Sequence, residues 1–244
     1  MLTLRVDDYD VDFFAKAASA FGTENYGYVV TANADHIIRL HEDALFRDVY
    51  DQASFVLLDS RFVKIVLWLF AALRLRTCPG SDLTEKLFAS VIGCDDVVVL
   101  IGSSIAQAEV LRKRYGLSNL RQHIPPMGLI SDTVAVESCL SFIETQVPFR
   151  FCLIAVGTPQ GEYIAHELKR RKRSKGLAVC IGASVNFLTG VERRAPQWMR
   201  RFGFEWLFRL ASNPRRLARR YLLRGPRIFW LLFSTRFVRR PRSS

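Results

Sequence analysis

The amino-acid sequence predicts an α/β protein in which a parallel sheet is covered by helices on both faces. Short apolar runs rich in β-branched residues, of which residues 97–101 are the clearest, fit strands that are buried on both faces. These runs alternate with segments of helical periodicity, as in a chain of strand–helix–strand units. The chain has 244 residues, 50% of them hydrophobic and 24% charged, which is enough for one sizeable core.

The elements can be placed in chain order from these patterns. The predicted strands are residues 26–30, 55–58, 97–101, 151–156 and 177–181. The predicted helices are residues 34–50, 62–75, a helix that begins at Asp82 with Ser81 as its cap, 103–114 and 161–171. Residues 62–75 are apolar but are interrupted by Lys64 and Arg74, and they are shorter than the roughly 20 residues that span a bilayer. We therefore expect this segment to form a buried core helix.

Three predicted strands end at a glycine, namely Gly102, Gly157 and Gly182. Ligands of parallel sheets bind at the carboxyl ends of the strands, where glycine permits close approach and a helix N-terminus offers N–H groups to phosphate. Neither G-x-G-x-x-G nor G-x-x-x-x-G-K-[ST] is present, which argues against the usual dinucleotide and P-loop sites. The three turns together indicate a nucleotide or sugar-nucleotide site of another kind.

Polar side chains follow the first two predicted strands. Thr31 and Asn33 come after the first strand, and Asp59 comes directly after the second. A carboxylate in this position can act as a general base at the mouth of the sheet. Position alone is equally compatible with helix caps at these residues, so both interpretations stay open. No histidine, cysteine or carboxylate cluster has metal-site spacing, and we expect neither a metal nor another cofactor.

The charge of the chain is concentrated in its C-terminal 52 residues. Residues 193–244 contain 15 Arg, no Lys and one acidic residue, a net charge of +14. The preceding 192 residues contain 20 basic and 22 acidic side chains, a net charge of −2. We therefore divide the chain into an α/β domain, residues 1–192, and a basic helical appendage rich in arginine and tryptophan, residues 193–244.

Three partners are compatible with this appendage. Aromatic and arginine residues at helical spacing suit an anionic membrane surface, phosphate-rich nucleic acid selects the same composition, and the helices could also pack on the domain itself. The density of tryptophan and phenylalanine favours the membrane. Since no export signal or membrane-spanning run is found, we expect a cytoplasmic protein, peripheral on the inner face of the cell membrane. Five dispersed cysteines without a C-x-x-C pair fit a reducing compartment.

Taken in order, these motifs resemble the WecG/TagA/CpsF family of bacterial glycosyltransferases, over nearly the whole chain. That family has a T-x-N turn, a strand ending in D-G, a G-S-D-L helix start, a G-S-P-x-Q-E turn and a closing series R-A-P…E-W…R…P-x-R…R-Y. The corresponding residues are Thr31 and Asn33; Asp59; Gly80-Ser81-Asp82-Leu83; Gly157-Thr158-Pro159-Gln160-Gly161-Glu162; and Arg194-Ala195-Pro196, Glu205-Trp206, Arg209, Pro214-Arg215-Arg216 and Arg220-Tyr221.

The resemblance implies an inverting, metal-independent glycosyltransferase with a Rossmann-like core. Its implied partners are a UDP-sugar donor, a saccharide acceptor on undecaprenyl diphosphate and an anionic membrane surface, with no role for nucleic acid, in the synthesis of a surface polysaccharide or wall polymer. Asp59 corresponds to the proposed general base, with Thr31 and Asn33 beside the reacting sugar. The residues expected to hold the donor and its diphosphate are Gly102, Ser103, Gly157, Thr158, Gln160, Glu162, Asn186 and Arg76. The appendage arginines implied to close over the site are Arg209, Arg216 and Arg219.

Four positions depart from the family pattern, and they cluster around the expected donor contacts. They are Ser60 in place of glycine, Thr77 in place of arginine, Gly161 in place of glutamine and Asn186 in place of aspartate. Arg76 lies next to Thr77 and can serve in its place after a small backbone shift, and Gln160 lies one place before Gly161. The identity of the donor sugar stays open, as do two alternatives: a weakened or inactive family member, and a non-enzymatic protein that binds nucleic acid through its basic tail.

Overall fold

A computed structural model describes residues 2–212, 214 and 227–241. The strands are β1 Leu2–Asp7, β2 Tyr26–Ala32, β3 Phe55–Leu58, β4 Val98–Ile101, β5 Leu120–His123, β6 Phe151–Ile154, β7 Gly176–Cys180 and β8 Thr235–Arg240. The helices are α1 Val11–Ala20, α2 Ala34–Glu42, α3 Ala44–Gln52, α4 Arg61–Ala71, α5 Gly80–Ser90, α6 Ile105–Tyr115, α7 Thr133–Thr145, α8 Gln160–Arg171, α9 Ser184–Leu188, α10 Gln197–Arg201, α11 Glu205–Ser212 and α12 Arg227–Ser234, with a 3-10 turn at Leu129–Ser131.

Six strands form one parallel sheet in the order β3-β2-β7-β6-β4-β5. Every neighbouring pair is parallel, and the interior of the sheet is apolar on both faces. Two apolar clusters, one on each face, join the sheet to the helices, as expected when crossover helices cover a parallel sheet. The predicted α/β class with a Rossmann-like sheet is confirmed.

The end of the described chain returns to its beginning. Strand β8 pairs in parallel with β1, with Leu2 opposite Thr235 and Asp7 opposite Arg240. The Nε2 atom of His41, on α2, lies 2.8 Å from Oγ1 of Thr235, which ties this strand pair to the main domain. Part of the basic C-terminal segment is therefore a strand, which its composition did not predict. The division of the chain at residue 192 stays a prediction.

Three local predictions need correction. The predicted helix 34–50 is two helices, because Asp43 ends α2 and its side chain accepts from the N–H of Phe46 to begin α3. Helix α5 begins at Gly80 after Pro79, so Ser81 is not its cap. Helix α4 buries only part of its apolar surface, since Trp68, Leu69 and Phe70 are 51%, 60% and 63% exposed. The expected core helix is present and contributes Val63, Val66 and Leu67 to the core, but its C-terminal end is exposed.

No helix within residues 2–212 and 227–241 combines the length and hydropathy that a membrane crossing requires. Four cysteines are buried and Cys94 is exposed, and none of the five forms a disulfide.

Candidate active site

The carboxyl ends of β2 and β3 bring two of the three predicted catalytic residues, Thr31 and Asp59, together. Ala32 lies opposite Leu58 in the register of these strands, and the N–H of Asp59 donates to the Ala32 carbonyl at 2.8 Å. The Asp59 Oδ1 atom accepts from the N–H of Gly80 at 2.7 Å. This N–H belongs to the first residue of α5, and the residue before it, Pro79, has no side-chain acceptor for the helix start. The contact supplies an acceptor for an N–H group that has no partner within the helix.

Three side-chain oxygens surround one point above Gly80. A methyl group added to Gly80 would lie 3.5 Å from Oγ1 of Thr31, 3.7 Å from Oδ1 of Asp59 and 3.8 Å from Oγ of Ser184. These three oxygens come from the ends of β2, β3 and β7, which are neighbours in the sheet. A side chain at Gly80 would contact all three oxygens at ordinary van der Waals distance, so the glycine is part of the site.

Sequence left open whether the polar residues after β2 and β3 cap the helices that follow, and the structure gives a different answer for each strand. Asn33 is a cap, since its Oδ1 accepts from the N–H groups of Asp35 and His36 at 3.0 and 3.2 Å. The cap of α4 is Ser60, whose Oγ accepts from the N–H of Val63. Asp59 therefore does not cap the helix that follows it. The cap interpretation accounts for Asn33 and fails for Asp59.

The turns after β4 and β6 present backbone to the same edge of the sheet. Gly102 and Ser103 have φ angles of +93° and +60°, a conformation that favours glycine at the first position. A side chain on Gly102 would lie 3.2 Å from the backbone of Ala155, so the two turns pack closely. Above Gly157, in contrast, no atom lies within 4 Å of the position of an added methyl group. That open backbone is suitable for the approach of a phosphate group.

Asn186 is held near the β4 turn by a small polar network. Gln107 Nε2 donates to Oδ1 of Asn186 at 2.9 Å, and Gln107 Oε1 accepts from the backbone N–H of Ser104. Asn186 Nδ2 in turn donates to Glu192 at 3.3 Å. The network thus positions Asn186 beside the turn that contains Gly102 and Ser103, and the assignment of these residues to the donor stays a prediction.

Thr158 belongs to a buried network that joins the two halves of the edge. His36 Nε2 lies 2.7 Å from Oγ1 of Thr158, and the Thr158 hydroxyl donates to Oε1 of Glu162 at 3.0 Å. Because that hydroxyl has one proton, His36 donates to Thr158 and its Nδ1 accepts from the Tyr50 hydroxyl at 2.6 Å. Burial raises the pKa of the Glu162 carboxyl to about 7. Helix α2 is thereby fixed to the turn after β6.

The remaining predicted residues either make no contact with the side chains above or lie outside the described part of the chain. Arg76 pairs with Asp10 and Asp8 and lies over the ring of Phe13, with its guanidinium carbon 5.3 Å from the ring centroid. Gln160 is the first residue of α8, and its buried Oε1 has no hydrogen-bond partner among the described residues. The side chain of Arg209 and all of Arg216 and Arg219 lie outside the described part of the chain, so their assignment stays a prediction.

Two residues of this site were not predicted from sequence. Ser184 follows the glycine turn at Gly182, and this position after a strand was the only feature of the sequence that could have indicated a role in the site. His36 lies three residues after Asn33 and shows no pattern that distinguishes it from an ordinary core histidine.

Within residues 2–212 and 227–241, no group of three or more histidine, cysteine or acidic side chains is arranged to hold a metal ion. A family model with the description "Glycosyl transferase WecG/TagA/CpsF family" matches residues 1–242, which is nearly the whole chain.

Proposed function

We propose that this chain, which belongs to the WecG/TagA/CpsF glycosyltransferase family, transfers a sugar from a UDP-sugar to a saccharide carried on undecaprenyl diphosphate. The product is a lipid-linked precursor of a surface polysaccharide or wall polymer. The transfer inverts the anomeric configuration and requires no metal. The protein is peripheral on the inner face of the cell membrane, where the lipid-linked acceptor is available.

Asp59 is the general base of the proposed reaction. Its carboxylate accepts the proton of an acceptor hydroxyl as that oxygen attacks the anomeric carbon of the donor, and the bond from that carbon to the UDP oxygen breaks. Thr31 and Asn33 lie beside the reacting sugar. General-base catalysis of this kind typically contributes about 10²- to 10⁴-fold to a rate.

One observation carries this assignment: the oxygens of Asp59, Thr31 and Ser184 all lie within 4 Å of the position that a methyl group on Gly80 would take. A carboxylate with one oxygen held by a backbone N–H, next to two hydroxyls, can orient and deprotonate a sugar hydroxyl.

The order of the strands supports a division of labour along the edge. The ends of β3 and β2 supply Asp59, Thr31 and Asn33, whereas the glycine turns follow β6 and β4 on the far side of β7. In the proposal, backbone N–H groups of those turns and the guanidinium groups of Arg209, Arg216 and Arg219 stabilise the departing diphosphate. The reacting sugar lies between, near the turn after β7.

The test is an assay of UDP release with a panel of UDP-sugars and a synthetic sugar–diphosphate–lipid acceptor. We expect release with at least one donor, and a decrease in kcat of about 10²- to 10⁴-fold in Asp59→Asn. The matched control is Asp51→Asn, which removes an exposed carboxylate on α3 and leaves the rate unchanged. No release with any donor, or an Asp59→Asn variant as active as the control, would contradict the proposal. Steeply salt-sensitive binding of nucleic acid that is indifferent to Asp59 would favour the nucleic-acid alternative.

A further inference from the structure

A cationic cavity lies beside the candidate active site, between α4, α10 and the segment that precedes α5. Its volume is about 400 Å³, and its lining residues are Arg61, Lys64, Ile65, Thr77, Gln197, Arg200 and Arg201. Four of these seven side chains are positively charged, and none is acidic. We call this space the α4–α10 cavity.

The positive charge of the cavity is only partly compensated. Arg61 and Arg200 contact the nearby Asp82 at 2.6 and 3.3 Å, but Asp82 also pairs with Arg194. Among the described residues, no ion-pair partner is found for Lys64 or Arg201. The Nε atom of Arg200 is buried and has no hydrogen-bond partner in the described part of the chain. A buried donor without an acceptor is unfavourable, so this atom is suited to an anionic ligand.

The α4–α10 cavity begins close to the proposed general base. Arg61 is the second residue after Asp59, so their Cα atoms are at most roughly 7 Å apart. On the other side, Asp82 is two residues from Gly80, whose N–H holds the Asp59 carboxylate. A ligand whose charged group fills the cavity can therefore place an adjoining sugar beside Asp59.

The glycine turns on the donor side are too distant to share this ligand group. Strand β3, which leads to the cavity, is separated from β6 and β4 by three and four strand spacings in the sheet order. At ~4.8 Å per spacing this is roughly 14 to 19 Å, several times the length of one diphosphate. Two diphosphates, one on each substrate, account for two separate anionic sites.

Exposed apolar side chains follow the cavity-lining residues along α4. On α4, Ile65 lines the cavity, and Trp68, Leu69 and Phe70 follow it on the exposed end of the helix. Phe70 packs edge-to-face on the exposed Phe233 of α12, at 5.7 Å between ring centroids. Such a surface suits the apolar chain of a prenyl lipid. A nucleotide has no such chain.

We propose that the α4–α10 cavity binds the diphosphate of the lipid-linked acceptor, with the first prenyl units on the apolar side chains of α4. This assignment rests on the proposed function, because it takes the acceptor to be a prenyl diphosphate. Arginine and lysine donors match the phosphate oxygens, and the position of the diphosphate sets the acceptor saccharide over Asp59.

The experiment is calorimetric titration of the full chain with geranyl diphosphate, inorganic pyrophosphate and UDP. The wild type binds geranyl diphosphate more tightly than pyrophosphate, because only the former reaches the apolar residues. The double variant Lys64→Gln/Arg201→Gln lowers the affinity for geranyl diphosphate at least tenfold and leaves that for UDP unchanged. Both side chains are exposed, so the fold persists, which a thermal melt verifies. Lys113→Gln, an exposed lysine on α6, is the matched control and changes neither affinity.

Three results would overturn the assignment. The first is an unchanged affinity of the double variant for geranyl diphosphate, and the second is an equal loss of affinity for UDP, which would assign the cavity to the donor. The third is a wild-type protein that binds pyrophosphate and geranyl diphosphate equally tightly. Because binding is measured without turnover, these results are distinguishable from failure of the proposed function, which the UDP-release assay reports. In that assay the double variant raises KM for the acceptor and leaves KM for the donor unchanged.

Discussion

The two halves of the carboxyl edge of the sheet are built in different ways. At the ends of β2 and β3, side-chain oxygens of Thr31 and Asp59 converge on the N-terminal residue of α5, Gly80, whose backbone N–H holds the carboxylate. At the ends of β4 and β6, the turns at Gly102 and Gly157 present mainly backbone. The first arrangement is suited to moving a proton, and the second is suited to holding an anion.

This difference determines what each half can tolerate. In the β2–β3 half, the important atoms are at the tips of side chains, so a substitution can abolish chemistry without disturbing the fold. In the β4–β6 half, the important atoms belong to backbone in an unusual conformation, so a substitution acts first on stability. The same change, glycine to alanine, can be made in both halves.

Gly80→Ala should therefore lower activity and keep stability, whereas Gly102→Ala should lower stability. At Gly80 the new methyl group makes ordinary contacts of 3.5 to 3.8 Å with the surrounding oxygens, so the fold is retained while the space for an acceptor hydroxyl is filled. We expect kcat/KM to fall about a hundredfold, equivalent to ~2.7 kcal/mol, with little change in the free energy of unfolding. At Gly102, with φ +93° and backbone 3.2 Å away, alanine should lower the free energy of unfolding by about 2 kcal/mol.

Urea denaturation and UDP-release kinetics on both variants measure the two effects. If Gly80→Ala loses stability while keeping its activity, or if Gly102→Ala is as stable as the wild type, the contrast between the two halves is wrong.

Glu162→Gln tests the buried network that joins the halves. The pKa of Glu162 is raised by burial from its ordinary value of 4.5 to about 7, so the folded state retains a proton that the unfolded state releases. The stability linked to this proton is fully present below about pH 4.5 and is lost as the pH rises through about 7. Glutamine cannot ionise and keeps an acceptor for the Thr158 hydroxyl. The wild type should therefore lose about 2 kcal/mol of its free energy of unfolding between pH 5 and pH 8, and the variant should not show this loss.

Urea denaturation at these two pH values gives the measurement. Glu167→Gln, on the same helix but partly exposed, is the control and should show no comparable gain. A difference between wild type and Glu162→Gln that does not change with pH would mean that Glu162 is already ionised in the folded protein.

The central strands of the sheet could be predicted because each is a short apolar run with its own local signal. Strands β1 and β8 could not, because β1 pairs with a segment more than 200 residues away and neither is a continuous apolar run. Strand β5, with sequence LRQH, lies at the edge of the sheet and needs little apolar character. The break at Asp43 was missed because apolar spacing continues across α2 and α3.

The candidate site could be predicted only where residues follow strands directly. Asp59, Thr31 and Gly157 stand at strand ends, and the parallel sheet then brings their ends to one edge. Ser184 and His36 reach the site through tertiary packing, His36 by contact with a residue 122 positions away. Sequence spacing carries no information about such contacts, so these residues required the structure.

Asn33 is the residue at which the cap and the catalytic interpretation can still be separated. Asn33→Ala removes the acceptor for the N–H groups of Asp35 and His36 and should lower the free energy of unfolding by about 1 kcal/mol. Asn33→Asp keeps the acceptor, so stability should return to that of the wild type, as measured by urea denaturation. If the side-chain amide also contacts the reacting sugar, Asn33→Asp remains impaired in UDP release despite its restored stability, because a carboxylate has no N–H to donate. Full activity in Asn33→Asp would reduce Asn33 to a helix cap and leave Asp59 and Thr31 as the catalytic side chains of the β2–β3 half.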